Sequence, residues 1–228
     1  MSLALLNLLQ LSDPALPIGS FAHSAGLETY VQEGIVHDKI TARLFITEML
    51  TRNLQYTDAA FASLAFDAST TGDIKEILQM DAECTALKLP KEIRQASQKL
   101  CMRLIKIFQP LIKNGLTDRY KAAIEMKHAT GHYCLVFGMY AQALGIKKSD
   151  ALTGFYYNAA ACMTTNCVKL IPLGQQDGQE TLFSLQSLIT VLVENSLVPD
   201  KRLVGLSCTG FDIRCMQHEQ LYSRLYMS

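Results

Sequence analysis

Residues 90–111 read PKEIRQASQKLCMRLIKIFQPL, and this stretch decides the fold class. Ile93, Ala96, Leu100, Leu104, Ile107, Phe108 and Leu111 recur three or four apart, which on a helix places them along one stripe. Lys91, Arg94, Lys99, Arg103 and Lys106 occupy much of the remainder, giving one apolar and one basic face. Pro90 suits a first helical position, where its missing N–H costs nothing and its φ is already helical. Pro110 lacks the donor a continuing helix needs, and Asn114-Gly115 reads as the close of the segment. A basic face of this kind is ordinarily solvated; contact with an acidic partner is the alternative.

The same period extends in both directions. Asp38 is placed to cap a helix carrying Ile40, Leu44, Phe45, Met49 and Leu50, and a second apolar helix spans about Ala59 to Phe66. Residues 67–72 are a loop by composition, and Asp73 with Glu76 forms a capping-box pattern. Thr117 or Asp118 opens a helix predicted to run through His128 and His132 to Leu144-Gly145. Ser149 caps the next, which carries Leu152, Phe155, Tyr156 and Met163 toward Lys169 and breaks at Pro172-Leu173-Gly174. Asp177 and Glu180 open a helix through Leu192, residues 199–210 read as irregular or short-helical, and Asp212–Leu225 forms a last amphipathic helix. No run alternates as a strand does, and no linker or repeat divides the chain. The expectation is an all-α fold, a single compact domain of about nine or ten helices over residues 1–228.

Composition narrows the function. Among 228 residues, 49% are apolar and 18% charged, which suits a globular domain with a sizeable core. The 21 basic and 21 acidic residues cancel, so no net field argues for nucleic acid or an anionic membrane. The seven cysteines are odd in number and form no CxxC pair, which points to reduced cytosolic thiols. The apolar run at the start stops at Asp13 without a basic flank, so it does not read as a secretory signal, and no stretch is long enough to span a bilayer. A cytoplasmic protein is expected.

Residues 8–28, LLQLSDPALPIGSFAHSAGLE, form the second informative stretch. Pro14 and Pro17 interrupt an apolar helical run, Gly19 relaxes the turn, and Ser20 is placed to cap the helix that follows. The result is a rigid elbow presenting Phe21, His23 and Ser24.

No recognisable catalytic constellation follows. His128 and His132 are four apart and would share a helix face, but a zincin needs glutamate where Ala129 stands, and no third ligand sits at motif spacing. A structural role, with the rings bonding backbone or a neighbouring helix, is the plainer reading. His23, Ser24 and Glu28 invite a triad, yet there is no G-x-S-x-G elbow. Cys162 and Cys167 read as core thiols. A phosphate-binding G-x-x-x-x-G-K-[ST] loop is absent, so the chain is not itself a nucleotide hydrolase of that class. Arg214 and Arg224 suit either an arginine finger offered to a GTPase or interface contacts to carboxylates. From these residues alone the chain is a helical, oligomeric interaction protein with no catalytic residues, metal site or cofactor.

Three blocks sharpen this. Residues 8–28 resemble the opening signature of the urease accessory protein UreF family. The resemblance continues at Asn166-Cys167-Val168-Lys169-Leu170-Ile171-Pro172-Leu173-Gly174-Gln175 with Asp177-Gly178-Gln179. It closes at Asp212-Ile213, Met216, His218-Glu219 and Tyr222-Ser223-Arg224-Leu225. The blocks lie in the family's order and span nearly the whole chain, while residues 70–115 match loosely.

The resemblance implies an all-α homodimer without catalysis of its own, a cytoplasmic chaperone and scaffold in nickel delivery to apo-urease. It implies binding of UreD (UreH in some species) and recruitment and regulation of the GTPase UreG. By position it implies a UreG-facing surface at Phe21, Lys169 and Arg224. Tyr157 is expected at the dimer seam, and Met216, His218, Glu219 and Tyr222 in a UreD-binding tail that orders on partner binding. The alternative from a different class is a helical metal-dependent hydrolase using His128 and His132.

Overall fold

In the computed structural model, which describes residues 3–20 and 23–227, every regular element is helical. The order is α1 Leu3–Leu11, α2 Leu27–Gln32, α3 Lys39–Glu48, a π-helical segment Met49–Leu54, α4 Asp58–Thr71, α5 Ile74–Leu87 and α6 Lys91–Phe108. There follow α7 Gly115–Glu125, α8 Tyr133–Ala143, α9 Lys148–Leu170, α10 Gln175–Ser184, α11 Gln186–Leu197 and α12 Thr209–His218. Twelve α-helices among the described residues replace the nine or ten expected, because two predicted helices are each split.

Side-chain caps set the starts of α3, α5 and α7. The Asp38 carboxylate accepts the Thr41 amide at 2.8 Å while the Thr41 hydroxyl accepts the Asp38 amide at 3.0 Å, a reciprocal box at the start of α3. Asp73 caps α5 from one side only, its carboxylate accepting the Lys75 and Glu76 amides at 2.9 Å and 3.2 Å, without the return bond of the expected box. Asn114 accepts from Leu116 and Thr117, so Asn114-Gly115 opens α7 rather than closing α6. The predicted loop at 67–72 is helical as far as Thr71. The hydroxyls of Ser69, Thr70 and Thr71 bond back to the carbonyls of Ala65, Phe66 and Ala68, which satisfies them inside the helix.

The helix expected to carry both His128 and His132 does not exist. α7 ends at Glu125, Lys127 takes a left-handed φ of 61°, and α8 starts only after His132. The predicted helix through Leu192 is likewise divided at Leu185 into α10 and α11, and Asp177 lies at its third position, bonded to the Gly174 amide, rather than at its cap. α12 begins at Thr209, earlier than expected, and stops at His218.

The core is built on α4 against α8, with α9 crossing α1, α3, α10 and α11. Small residues let the first pair approach. α4 buries Ala59, Ala62, Ala65 and Ala68, and a Cβ at Gly138 of α8 would stand 2.3 Å from the Ala62 carbonyl. Aromatic rings fill the space where α8 meets α9 and α6: Phe137 meets Phe155 edge-on at 4.9 Å and Phe108 meets Tyr140 at 5.3 Å.

Candidate partner-binding surface

The elbow is fixed from outside. After α1 the Asp13 carboxylate accepts the Ala15 amide at 2.8 Å, and Leu16 and Ile18 insert into the core. Gly19 turns with φ 83°, where a side chain would collide with the Arg103 guanidinium; Arg103 donates to the Ile18 carbonyl at 2.9 Å. α6 thus holds the turn. Ser20 does not cap α2, whose N-cap is Gly26 without a side-chain bond; its hydroxyl instead meets the Cys162 thiol on α9. The His23 carbonyl accepts the Asn166 side chain at 3.0 Å. Burial, then the Lys99 and Arg103 charges, lower the His23 pKa, with Glu92 opposing them. Phe21 lies outside the described residues.

The C-terminal segment is tied to this elbow and to α6 through four side chains, His218, Arg224, Glu28 and Glu92. His218, fully buried at the end of α12, places Nε2 at 2.9 Å from Glu28 Oε2 and Nδ1 at 2.8 Å from Glu92 Oε2. Glu92 takes the Arg224 guanidinium on its other oxygen at 2.5 Å. Glu28, 5% exposed, accepts the Leu225 amide at 2.7 Å and the Tyr226 amide at 3.1 Å. Arg214 is engaged elsewhere: it pairs with Glu33, lies 5.9 Å above the Tyr30 ring, and its carbonyl accepts the Thr29 hydroxyl at 3.0 Å. It seats α12 on α2 by contact with a carboxylate.

The remaining expected residues fall on three faces. Lys169 is exposed in the last turn of α9, where its charge complements the helix dipole, and the Cys162 thiol beside the elbow senses it. Tyr157 is 41% exposed on α9 and borders a groove shared with Phe183, 73% exposed on α10. Met216 and Tyr222 are exposed, Glu219 is half-buried and accepts the Glu92 amide at 3.4 Å, and His218 is inside the body rather than on a docking face.

A cavity of about 240 Å³ separates the elbow from α12, lined by apolar groups such as Met49, Phe61, Ile93 and Phe211. In its wall Lys88 Nζ meets Asp58 at 2.7 Å. Burial alone would push the Asp58 carboxyl up, but the adjacent ammonium holds it below its usual value.

The two histidines considered as metal ligands are separated in role. His128 is exposed on the loop after α7. His132 is fully buried, with Nδ1 at 3.2 Å from the Ser97 hydroxyl on α6 and Nε2 at 2.9 Å from the Thr85 hydroxyl on α5. Both ring nitrogens are engaged with neighbouring helices, as the structural reading expected. Among the described residues no three His, Cys, Asp or Glu side chains are grouped to hold a metal ion.

The UreF family model matches residues 36–186, a span that includes Glu92, Tyr157 and Lys169. A urease accessory protein UreF from Actinobacillus pleuropneumoniae serotype 5b (strain L20) is 47% identical over 221 residues, covering 97% of each chain. One from Haemophilus influenzae (strain ATCC 51907 / DSM 11121 / KW20 / Rd) is also 47% identical, over 97% of this chain and 94% of that protein. The chain belongs to the UreF family. A more distant UreF, from Arthrobacter sp. (strain FB24), is 33% identical over 98% of this chain and 96% of its own length. Membership gives this UreF-family chain a role in urease maturation as an accessory protein, in company with other maturation proteins. No helix among the described residues is long and apolar enough to cross a membrane.

Sequence reasoning did not find the Glu28–His218–Glu92 group. Glu28 and His218 both stand in the blocks that carry the resemblance, but nothing in their spacing announces that they meet.

Proposed function

We propose that this chain is the scaffold of a cytoplasmic urease-maturation complex. It binds UreD (UreH) through α12 and the tail, and recruits and regulates the GTPase UreG on the elbow side through Phe21, Lys169 and Arg224, so that nickel, the cargo, enters apo-urease. The chain acts as a homodimer joined near Tyr157, and it catalyses nothing itself. One observation carries the reading: Glu92 of α6 binds Arg224 of the tail and lies within electrostatic reach of His23 in the elbow. The tail is thereby anchored to α6 beside the elbow, so both ends of the chain contribute to one side of the molecule, which suits docking of a second protein. Exposed apolar residues beside it, Met216, Tyr222 and Leu225, offer a separate face to a second partner.

Co-expression with UreD, UreG and apo-urease tests this. The expected result is co-purification of both partners and urease activation that depends on this chain, with UreG capture lost in Arg224→Ala and retained in Lys91→Ala. Full activation and normal capture in Arg224→Ala would remove that residue from the reading. Stoichiometric metal on the isolated chain, with a hydrolase activity abolished in His128→Ala, would replace it by the metal-dependent hydrolase.

A further inference from the structure

We infer that Cys84 and Cys134 form an oxidation site, a dithiol that a hydroperoxide converts into an intramolecular disulfide joining α5 to α8. Their sulfurs are 3.9 Å apart, in the one thiol–thiol hydrogen bond among the described residues. At that separation the two atoms touch, so no group lies between them. Cys84 stands in the last turn of α5 and Cys134 in the first turn of α8. Closing the gap to a bond of about 2 Å takes side-chain rotation and a small approach of two helix ends. Terminal turns yield more readily than helix centres.

The surroundings divide the work between the two thiols. Cys84 lines the cavity of about 240 Å³ beside the elbow, whereas Cys134 is fully buried behind it. Hydrogen peroxide entering the cavity therefore meets Cys84 first. The Cys84 sulfur attacks a peroxide oxygen, the O–O bond breaks, and the departing hydroxide takes the thiol proton to leave as water. The product is a Cys84 sulfenic acid. Cys134 then attacks that sulfur, so that the S–S bond forms and the S–O bond breaks. The Asp58 carboxylate, which accepts a hydrogen bond from the Cys134 thiol, takes its proton and passes it to the second hydroxide. Two waters result, and the peroxide gains the two electrons that the thiols lose. Lys88, one turn after Cys84 and 2.7 Å from Asp58, keeps a cation within electrostatic reach of both sulfurs while charge develops on them. Burial pushes the Cys134 thiol up, which suits it to the second step.

The other thiols lack such a partner. Cys162 and Cys208 also face the cavity, but among the described residues neither bonds a second sulfur; the Cys162 thiol meets Ser20 and Asn158. An oxidant in the cavity thus reaches three thiols and finds a resolving thiol only beside Cys84. The odd count of seven cysteines suits a reducing compartment, where a disulfide is a transient redox product rather than a brace. The new bond draws the last turn of α5 toward α8 and takes Cys134 from Asp58. It thereby alters the Lys88–Asp58 pair in the cavity wall.

Treatment of the reduced full chain with equimolar hydrogen peroxide tests this. Mass spectrometry is expected to show the loss of two hydrogens, reversed by dithiothreitol, and a dominant tryptic cross-link between residues 76–88 and 128–147. In Cys134→Ser the cross-link disappears, and dimedone traps several-fold more sulfenic acid at Cys84 than in the unaltered chain. Cys134→Ala replaces that variant if a buried hydroxyl unfolds it, and the peptide map of the unaltered chain stands without either. Amide resonances of Asp58 and Lys88 are expected to shift on oxidation while those of α11 stay in place. Oxidation confined to Cys162 and Cys208, cross-links formed chiefly with either of them, or a chain left unmodified by a large excess of peroxide would overturn the inference. A disulfide formed without the Asp58 and Lys88 shifts would overturn its effect on the cavity wall.

Discussion

Asp81 accepts the Tyr120 hydroxyl at 2.6 Å across the space between α5 and α7, with the carboxylate 2% exposed. The same carboxylate accepts the amides of Thr130 at 2.7 Å and Gly131 at 2.8 Å, and the Tyr120 oxygen accepts the amide of His132 at 3.0 Å. Three successive backbone donors of the α7–α8 connection are thereby satisfied in the interior. Asp81→Ala leaves two of them and the hydroxyl without acceptors, at about 1–3 kcal/mol for each buried orphan. Chemical denaturation is expected to show a loss of about 3 kcal/mol or more, and Tyr120→Phe a smaller loss of about 1–2 kcal/mol. A loss below about 1 kcal/mol for Asp81→Ala would mean that water takes over the amides.

His132 makes stability depend on acid. Burial, then the Lys88 charge, lower its pKa from 6.5 to about 4. The unfolded chain therefore binds this proton more readily than the folded one between those values, so the contribution is complete above pH 6.5 and is lost as pH falls toward 4. At about 1.4 kcal/mol per unit the penalty reaches about 3 kcal/mol. His132→Gln, which retains an amide donor and acceptor, is expected to be less stable at pH 7.5 but to fall less steeply between pH 6.5 and 4.5. Parallel stability-against-pH curves for the two proteins would exclude His132 as the source.

These two groups also mark where the sequence was legible. Residues 90–111 announce a helix because an apolar stripe and a basic face are local properties, and Asp38 and Asp73 act on amides two or three residues away. The break between α7 and α8 is invisible locally, since Asp81, 49 residues before Thr130, captures the amides that a continuous helix would have used. Residues 67–71 mislead in the opposite direction, because hydroxyl-rich composition suggests a loop whereas the hydroxyls bond back within the helix. The Glu28–His218–Glu92 group is the extreme case. His218 lies 126 residues from Glu92 and 190 from Glu28, so only the fold brings them together.

The Lys88–Asp58 pair in the cavity wall makes a different prediction. Lys88→Met leaves the Asp58 carboxylate at the start of α4 facing an apolar cavity without its cation, and breaking a buried pair from one side costs about 3–5 kcal/mol. Asp58 is partly exposed, which places the expected loss near about 3 kcal/mol. Replacing both, Lys88→Met with Asp58→Asn, removes the stranded charge and is expected to recover at least half of that loss. A double variant as unstable as Lys88→Met alone would show that the lysine stem packs more than its charge pairs.

The proposed dimer seam yields the last prediction. Tyr157 and Phe183 stand exposed on either side of a groove between α9 and α10, also lined by Leu182 and bordered by Gln176, Gln179 and Gln186. Two exposed aromatics across a polar-rimmed groove match the anchor-and-rim pattern of protein interfaces, and a second copy of the chain would bury both. Tyr157→Asp combined with Phe183→Asp places two like charges at the centre of that contact. Light scattering after gel filtration is expected to give a monomer for the variant and a dimer for the unaltered chain, with melting temperatures within a few degrees because neither ring is in the core. A variant that remains dimeric would move the seam elsewhere on the surface; an unaltered chain that is monomeric at tens of micromolar would remove the homodimer from the proposed function.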